Sequence, residues 1–302
     1  MKYIVSFKEN GERFDKAVSL LNSELSRSYI TKLIEEGKIL LNGKKEKPSL
    51  KVKENDEIFI EELVDTKSDI KEEDIPLDVV YEDSDILVIN KPQGMVVHPA
   101  NGHYSGTLVN ALMFQADSLS SINGVIRPGI VHRIDKDTSG LMIVCKDNKV
   151  HPLLAEGFKN KTIKRDYIAL LVGEFPHASA TINAPIGRDS NNRKMFTVTD
   201  KNSKDAITEM KVLKRYIGYT LVKCSLKTGR THQIRVHMKY IGYPVYNDPV
   251  YTNAKATKFG QFLHSAHLEF VHPITKEALE FDAPLPNEFQ KFIDNLEEYE
   301  KI

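Results

Sequence analysis

The densest group of chemically capable side chains is Val131-His-Arg-Ile-Asp-Lys-Asp-Thr-Ser-Gly140. A carboxylate in such a knot can act as a nucleophile, and a pair can divide the acid and base work of glycoside cleavage. Asp135 and Asp137 are the candidates. Apolar segments flank the knot at Gly129–Val131 and Leu141–Val144, so it reads as a strand-to-strand connection, and loops on rigid scaffolds are where function concentrates. The same residues also make a satisfied polar turn, because Asp, Thr and Ser bond their own backbone and Gly140 permits a positive φ. Residue types alone leave both readings open.

Two other segments could contribute. In Thr228-Gly-Arg-Thr-His-Gln-Ile-Arg-Val-His-Met238, Thr231 is the expected N-cap of a helix. Ile234, Met238 and Ile241 form one face of that helix, and His232, Arg235 and Lys239 an adjacent one. Arg230 and Arg235 at a helix start oppose the dipole, which points to a partner for them. In Lys164-Arg-Asp-Tyr-Ile-Ala-Leu-Leu-Val-Gly173, Tyr167 begins a strand; it can enter a site or simply be core with a wet hydroxyl. A P-loop, a G-x-G-x-x-G after a strand and a metal-ligand spacing are all missing from the sequence, so neither cofactor nor metal is expected.

The elements that must hold these segments are α+β in character. The first module, residues 1–62, has helical spacing at Lys16–Leu21 and Ser28–Glu36, then strands about an Asn42-Gly43 turn and at Val52–Glu61. Residues 63–78 are acidic, end near a proline and read as an exposed linker. Over 79–302, strands are expected at Val79–Tyr81, Ile86–Asn90, Gly129–Val131, Leu141–Lys146, Tyr167–Val172 and Tyr219–Ser225, with helices at Leu108–Met113, Pro152–Phe158 and His232–Ile241. Strands outnumber helices without alternating regularly, which favours a mixed, largely antiparallel central sheet with flanking helices over a doubly wound fold.

Forty-two basic and 42 acidic residues cancel, but not evenly. Arg27–Lys53 carries eight Lys/Arg against three acids and Phe158–Arg235 sixteen against six, while Glu54–Asp74 and Glu277–Glu300 are acidic. A nucleic-acid partner therefore requires a segregated basic face. In the first module Arg27, Lys32, Lys38, Lys44 and Lys45 are the candidate phosphate contacts. The N-terminus lacks a signal-peptide core, the longest apolar stretches are too short for a bilayer, and Cys145 and Cys224 are only two and far apart. A cytoplasmic monomer with reduced thiols is expected.

His132-Arg-Ile-Asp-Lys-Asp-Thr-Ser-Gly140 resembles the H-R-L-D-x-x-T-S-G signature of RluA/RluD-type pseudouridine synthases, with Ile134 in place of Leu. Asn90-Lys-Pro-Gln-Gly94 with Val97-His-Pro99, Lys164–Gly173, Thr228–Met238 and His264–Pro273 look like the family's other blocks, in the same order. Asn247-Asp-Pro249 departs from it, with Asn where Gly is usual. The first module resembles an S-four-like RNA-binding domain. The resemblance implies isomerisation of uridine in structured RNA, most often ribosomal RNA, with transfer RNA as the alternative. It implies Asp135 as nucleophile, Arg235 as its cation and Tyr167 as the tyrosine against the base. His132, Arg133, Thr138 and Arg230 are expected to bind substrate, with Arg133 filling the gap left by a flipped nucleotide. The competing classes are a nucleoside hydrolase using Asp137 as second carboxylate, an RNA-binding protein without activity, and a metal enzyme.

Overall fold

The computed structural model describes residues 1–22, 27–61, 70–99, 103–116, 119–120, 128–190, 192, 195–252 and 255–298. The first module contains β1 (Lys2–Ile4), α1 (Phe14–Leu21), α2 (Arg27–Glu36), β2 (Ile39–Leu41) and β3 (Glu57–Ile60). Its three strands pair antiparallel in the order β1-β3-β2. Phe14, Ala17 and Val18 of α1 meet Ile30, Leu33 and Ile34 of α2 in a core closed by Ile39, Leu41, Ile58 and Ile60. The helical spacing read from sequence is what assembles it.

The remaining strands are β4 (Asp78–Glu82), β5 (Ile86–Lys91), β6 (Ser139–Cys145), β7 (Lys164–Val172), β8 (Ser179–Asn183), β9 (Ile186–Arg188), β10 (Phe196–Val198), β11 (Ile207–Tyr216), β12 (Tyr219–Leu226), β13 (Leu263–Val271) and β14 (Ala278–Asp282). The helices are α3 (Leu108–Gln115), α4 (Val150–Asn160), α5 (Gln233–Tyr240) and α6 (Asn287–Asp294). A nine-stranded sheet runs β4-β5-β6-β13-β7-β12-β11-β8, with β14 on β13 and a separate β9–β10 hairpin. Every pairing in the large sheet is antiparallel except β6 with β13. The expected mixed, largely antiparallel sheet is what forms. All seven residues of β6 are buried, as a strand covered on both faces requires.

Two expectations need correction, and one segment is better tied down than expected. Gly129–Val131 is no strand; Ile130 makes one isolated bridge to Val144. The linker lies partly outside the described residues, and its described part is strapped down. Ile70 and Leu77 pack on the main core, Asn110 donates to the carbonyl of Lys71 (2.7 Å), and Glu73 accepts the N–H of Gly106. Thr231 is not the N-cap of α5. His232 is, in a left-handed conformation, because Gln233 turns its side chain back to accept the N–H of Arg230 and the hydroxyl of Thr228.

The parallel β6–β13 contact positions the site. Ser265 of β13 lies opposite Gly140 on one side and Tyr167 on the other, so the Asp135 loop and Tyr167 are drawn to the same stretch of sheet. A Cβ on Gly140 would lie 2.2 Å from the Ser265 carbonyl oxygen, and its φ is +111°. Gly140→Ala must therefore strain its own backbone and push two strands apart. It should lose about 2–5 kcal/mol of stability, read as a fall in melting midpoint or as failure to accumulate folded protein.

Candidate active site

The polar loop before β6 is fastened from below by a buried lysine. Lys91, fully buried, donates to the carbonyls of Pro92 (2.8 Å), Met95 (2.9 Å) and Lys136 (3.0 Å). Burial pulls its pKa down to about 7, against the opposing pull of Asp137 and Asp135. The three carbonyls use all three N–H groups of the charged form, which favours the ammonium. Gln93 donates to the carbonyls of Asp137, Phe259 and Gln261. The Asn90–Gly94 segment thus works as a scaffold under the loop.

Above it lies a cavity of about 330 Å³ lined by Asp135, Tyr167, Arg235, His132, Arg133, Thr138 and Arg230, together with Arg165 and His232. All seven catalytic and substrate-binding candidates from the sequence meet here. A second cavity of about 270 Å³ shares Arg133, Asp135, His232 and Arg235 and adds His98, Lys136, Asp137 and Gln261. Asp135 stands between the two.

Its partner is Arg235, whose Nη1 donates to Asp135 Oδ2 at 2.7 Å. The rest of the guanidinium fork is committed elsewhere: Nε reaches Asp248 Oδ2 (2.7 Å) and Nη2 reaches Asp248 Oδ1 (2.9 Å). Asp248 is fully buried and Arg235 nearly so. Burial opposes the charge on Arg235, but Asp248 and Asp135 outweigh it and hold its pKa above the ordinary arginine value. The result is a fixed cation offering one N–H to Asp135.

The other candidates have more particular places. Tyr167 is buried, which pushes its phenol above the ordinary value, with Asp135 adding to the effect; it is a neutral hydroxyl at physiological pH. His132 accepts the N–H of Ile143 through Nε2 (2.9 Å) and packs on Phe158. Burial, and secondarily Arg165, push its pKa down to about 3, so it is a neutral buttress of β6. Thr138 is buried and accepts from Gln261 (3.1 Å), which places its hydroxyl in the loop's own bonding. Arg230 donates through Nε to the carbonyl of Asp205 (2.9 Å). Arg133 is exposed and makes no ion pair among the described residues.

Sequence reasoning missed Asp248, Arg165 and Lys91. Asp248 stood in view within Asn247-Asp-Pro249, but nothing local marks it as the partner of an arginine 13 residues earlier. Arg165 lines the cavity over the Phe158 ring at 4.9 Å with its Nε unpartnered. Asp137, the rival second carboxylate, lines the other cavity and lies against Gly260. Burial, its largest influence, raises its pKa.

Among the described residues two groups have metal-compatible spacing, Asp83–Asp85–His272 and His267–Glu280–Asp282. His272 Nδ1 accepts the N–H groups of Ile274 and Thr275, so its Nε2 carries the proton; that nitrogen lies 3.1 Å from Asp83 Oδ2 but outside hydrogen-bond geometry. His267 and Asp282 make an ordinary surface pair at 2.8 Å.

In the first module three of the five candidate RNA cations are engaged by acids of the same module. Arg27 pairs with buried Asp15 (2.9 Å), while Lys32 and Lys38 both reach Glu36 (3.5 and 3.1 Å). Lys44 and Lys45 are exposed and are in no ion pair among the described residues.

Residues 85–240 match the family model described as RNA pseudouridylate synthase, and residues 12–58 match the S4 domain. An uncharacterized RNA pseudouridine synthase of Bacillus subtilis is 47% identical over 292 residues, 96% of each chain. A ribosomal large subunit pseudouridine synthase D of Zymomonas mobilis is 42% identical over 93% of this chain and 92% of its own. The solved structure of human RNA pseudouridylate synthase domain containing 1 superposes with a TM-score of 0.58 at 27% identity, over 69% of this chain and 83% of that one. With a cavity built around Asp135, Arg235 and Tyr167 and a match over more than half its length, the chain belongs to the RNA pseudouridine synthase family.

Proposed function

We propose that this synthase isomerises uridines of large-subunit ribosomal RNA, with Asp135 as the nucleophile. The observation that carries the reading is the 2.7 Å bond from Arg235 to Asp135 at the wall of the cavity. It holds one carboxylate oxygen with a charged donor and leaves the second oxygen outside that bond. Isomerisation breaks the N1–C1′ bond, turns the uracil and rejoins it through C5. Oxidation state and atom count are unchanged, so no cofactor enters the scheme.

Tyr167 closes the cavity against the base as a neutral hydroxyl, and so does not act as a ready base for the C5 proton. Arg133, exposed at the mouth, fills the gap left by the extruded nucleotide. Extrusion costs a few kcal/mol and least from loops and bulges, so unpaired positions in folded RNA are the favoured targets. The name of the Zymomonas relative supports the ribosomal assignment. We read the chain as a cytoplasmic monomer; Cys145 and Cys224 are both unpaired, and among the described residues no helix is long and apolar enough to cross a membrane. Mapping pseudouridines in cells lacking the protein tests the target. Loss of sites from large-subunit RNA is expected, and loss from transfer RNA alone would reassign it.

Residues 1–62 act as the RNA-binding module and 79–302 as the catalytic one in this scheme. With three of the module's cations held by acids, Lys44 and Lys45 are its main phosphate contacts. Replacing both with Ala should flatten the dependence of log K on log salt by about 1.4, at roughly 0.7 per contact for single strands. Salt titration of binding to structured RNA measures it, and an equal or larger change for Lys32→Ala with Lys38→Ala would count against the assignment.

A further inference from the structure

His232 begins α5 in an unusual way. Its backbone is left-handed, with φ 56° and ψ 20°, and its side chain makes no capping hydrogen bond. That conformation costs a residue with a Cβ about 1–2 kcal/mol, and such strain persists where the surroundings over-determine it. The imidazole lines both cavities. It is wedged edge-to-face between the rings of Phe196 (5.6 Å) and Tyr251 (5.7 Å).

The hydrogen bonds around it assign its tautomer. The Tyr251 oxygen accepts the N–H of Phe196 (3.0 Å) and lies 2.9 Å from His232 Nδ1. The phenol's own proton needs an acceptor, and among the described residues Nδ1 is the one within reach. Burial keeps His232 neutral by lowering its pKa, and burial pushes Tyr251 up to about 12, so the proton stays on the phenol. With Nδ1 accepting, the neutral ring carries its hydrogen on Nε2. That nitrogen stands 3.8 Å from Asp135 Oδ1, too far for a hydrogen bond. The N–H therefore faces the space beside the nucleophile, which the carboxylate does not claim.

We propose that His232 is a further catalytic residue, whose Nε2–H donates a hydrogen bond to a uracil carbonyl oxygen as negative charge builds there. The inference rests on the pseudouridine synthase reading of this cavity. If an Asp135 oxygen bonds to C1′, the N1–C1′ pair departs with the uracil and spreads onto O2 and O4. If it adds to C6 of the ring instead, the displaced pair runs to O4, and the N1–C1′ bond breaks next, its pair staying with the ring. Either way C5 then bonds to C1′, the bond to Asp135 breaks, the C5 proton leaves and N1 gains one. Charge passes through a carbonyl oxygen on both routes, and a fixed donor in a partly desolvated site acts on that charge without transferring its own proton. The same tautomer makes His232 a poor base for the C5 proton, because Nε2 is already protonated.

His232→Gly tests this, since glycine keeps the left-handed backbone at no steric cost. Expected are a fall in kcat of about 10²–10³-fold, a KM for RNA within about threefold of wild type and an unchanged melting midpoint. His232→Asn, which also tolerates this backbone but is too short to reach, should behave the same. Tyr251→Phe frees the tautomer while keeping the ring, and should give a smaller loss of kcat, about three- to tenfold. A glycine variant within threefold of wild-type kcat would overturn the proposal. So would a loss confined to KM, or one matched in both variants by a fall in melting midpoint. Absence of pseudouridine formation by the wild-type chain on RNA would instead strike the reading of the cavity itself.

Discussion

Asp135→Asn leaves a folded, RNA-binding protein whose kcat for pseudouridine formation falls at least about 10³-fold, because an amide is no nucleophile. The substitution changes little else. The Asp135 side chain is 18% exposed and outside the core, so its removal opens no cavity, and Arg235 keeps both bonds to Asp248. The amide oxygen can still accept from Nη1. Stability should therefore shift by no more than about 1 kcal/mol, and RNA affinity by a small factor. Tritium release from RNA carrying 5-tritiated uridine, run beside a thermal melt and a binding titration, separates the three quantities. Appreciable turnover by the variant would remove Asp135 from its role and turn attention to Asp137 across the loop.

How far the sequence reveals this arrangement depends on the range over which each feature is encoded. The first module and the α3, α4 and α5 helices follow from local periodicity, which needs no distant partner. Strands β8 to β11 and β13 to β14 escape it for a physical reason. β11, Ile-Thr-Glu-Met-Lys-Val-Leu-Lys-Arg-Tyr, has one polar face and a register shift between Val212 and Lys214, so its alternation is broken midway. β13 interleaves His264, Ser265 and His267 among its apolar residues because it is buried between β6 and β7, where Ser265 and His264 bond to Leu141, Ser139 and Ala283. At the site, Asp135 is a candidate through the loop's resemblance to the family signature, and the groups that hold it are non-local. Arg235 is 100 residues from Asp135, and Gln93 is 168 from Gln261. Spacing cannot report such pairs. It could not separate Thr138 and His132, whose polar atoms bond to Gln261 and to the β6 backbone, from residues that face the cavity. The left-handed backbone of His232 was equally hidden, since a preceding threonine looks like the better cap.

Asp248→Ala is expected to do more damage to the folded state than any substitution at Asp135. Arg235 is buried, and two of its three bonds to carboxylates end on Asp248. Removing that partner strands a buried guanidinium, which costs about 3–5 kcal/mol. Asp248 Oδ1 also accepts the N–H groups of Val250 (2.8 Å) and Tyr251 (3.0 Å), so the turn that carries Tyr251 loosens with it. The melt should shift accordingly, with activity lost even below the transition, since a freed guanidinium can rotate onto Asp135 and pair with both oxygens. Asp248→Asn separates the two effects. Its oxygen still serves the backbone, so most of the stability returns, but its NH₂ cannot accept from Arg235. The site's charge changes by one, and the arginine loses its Nε bond, keeping Nη2 on the amide oxygen and Asp135 as its one carboxylate. A lowered kcat with a nearly normal melt in Asp248→Asn, against a collapsed melt in Asp248→Ala, is the expected pair of results. If Asp248→Ala melted like wild type, Arg235 would not be clamped from behind, and the single N–H it offers to Asp135 would need another explanation.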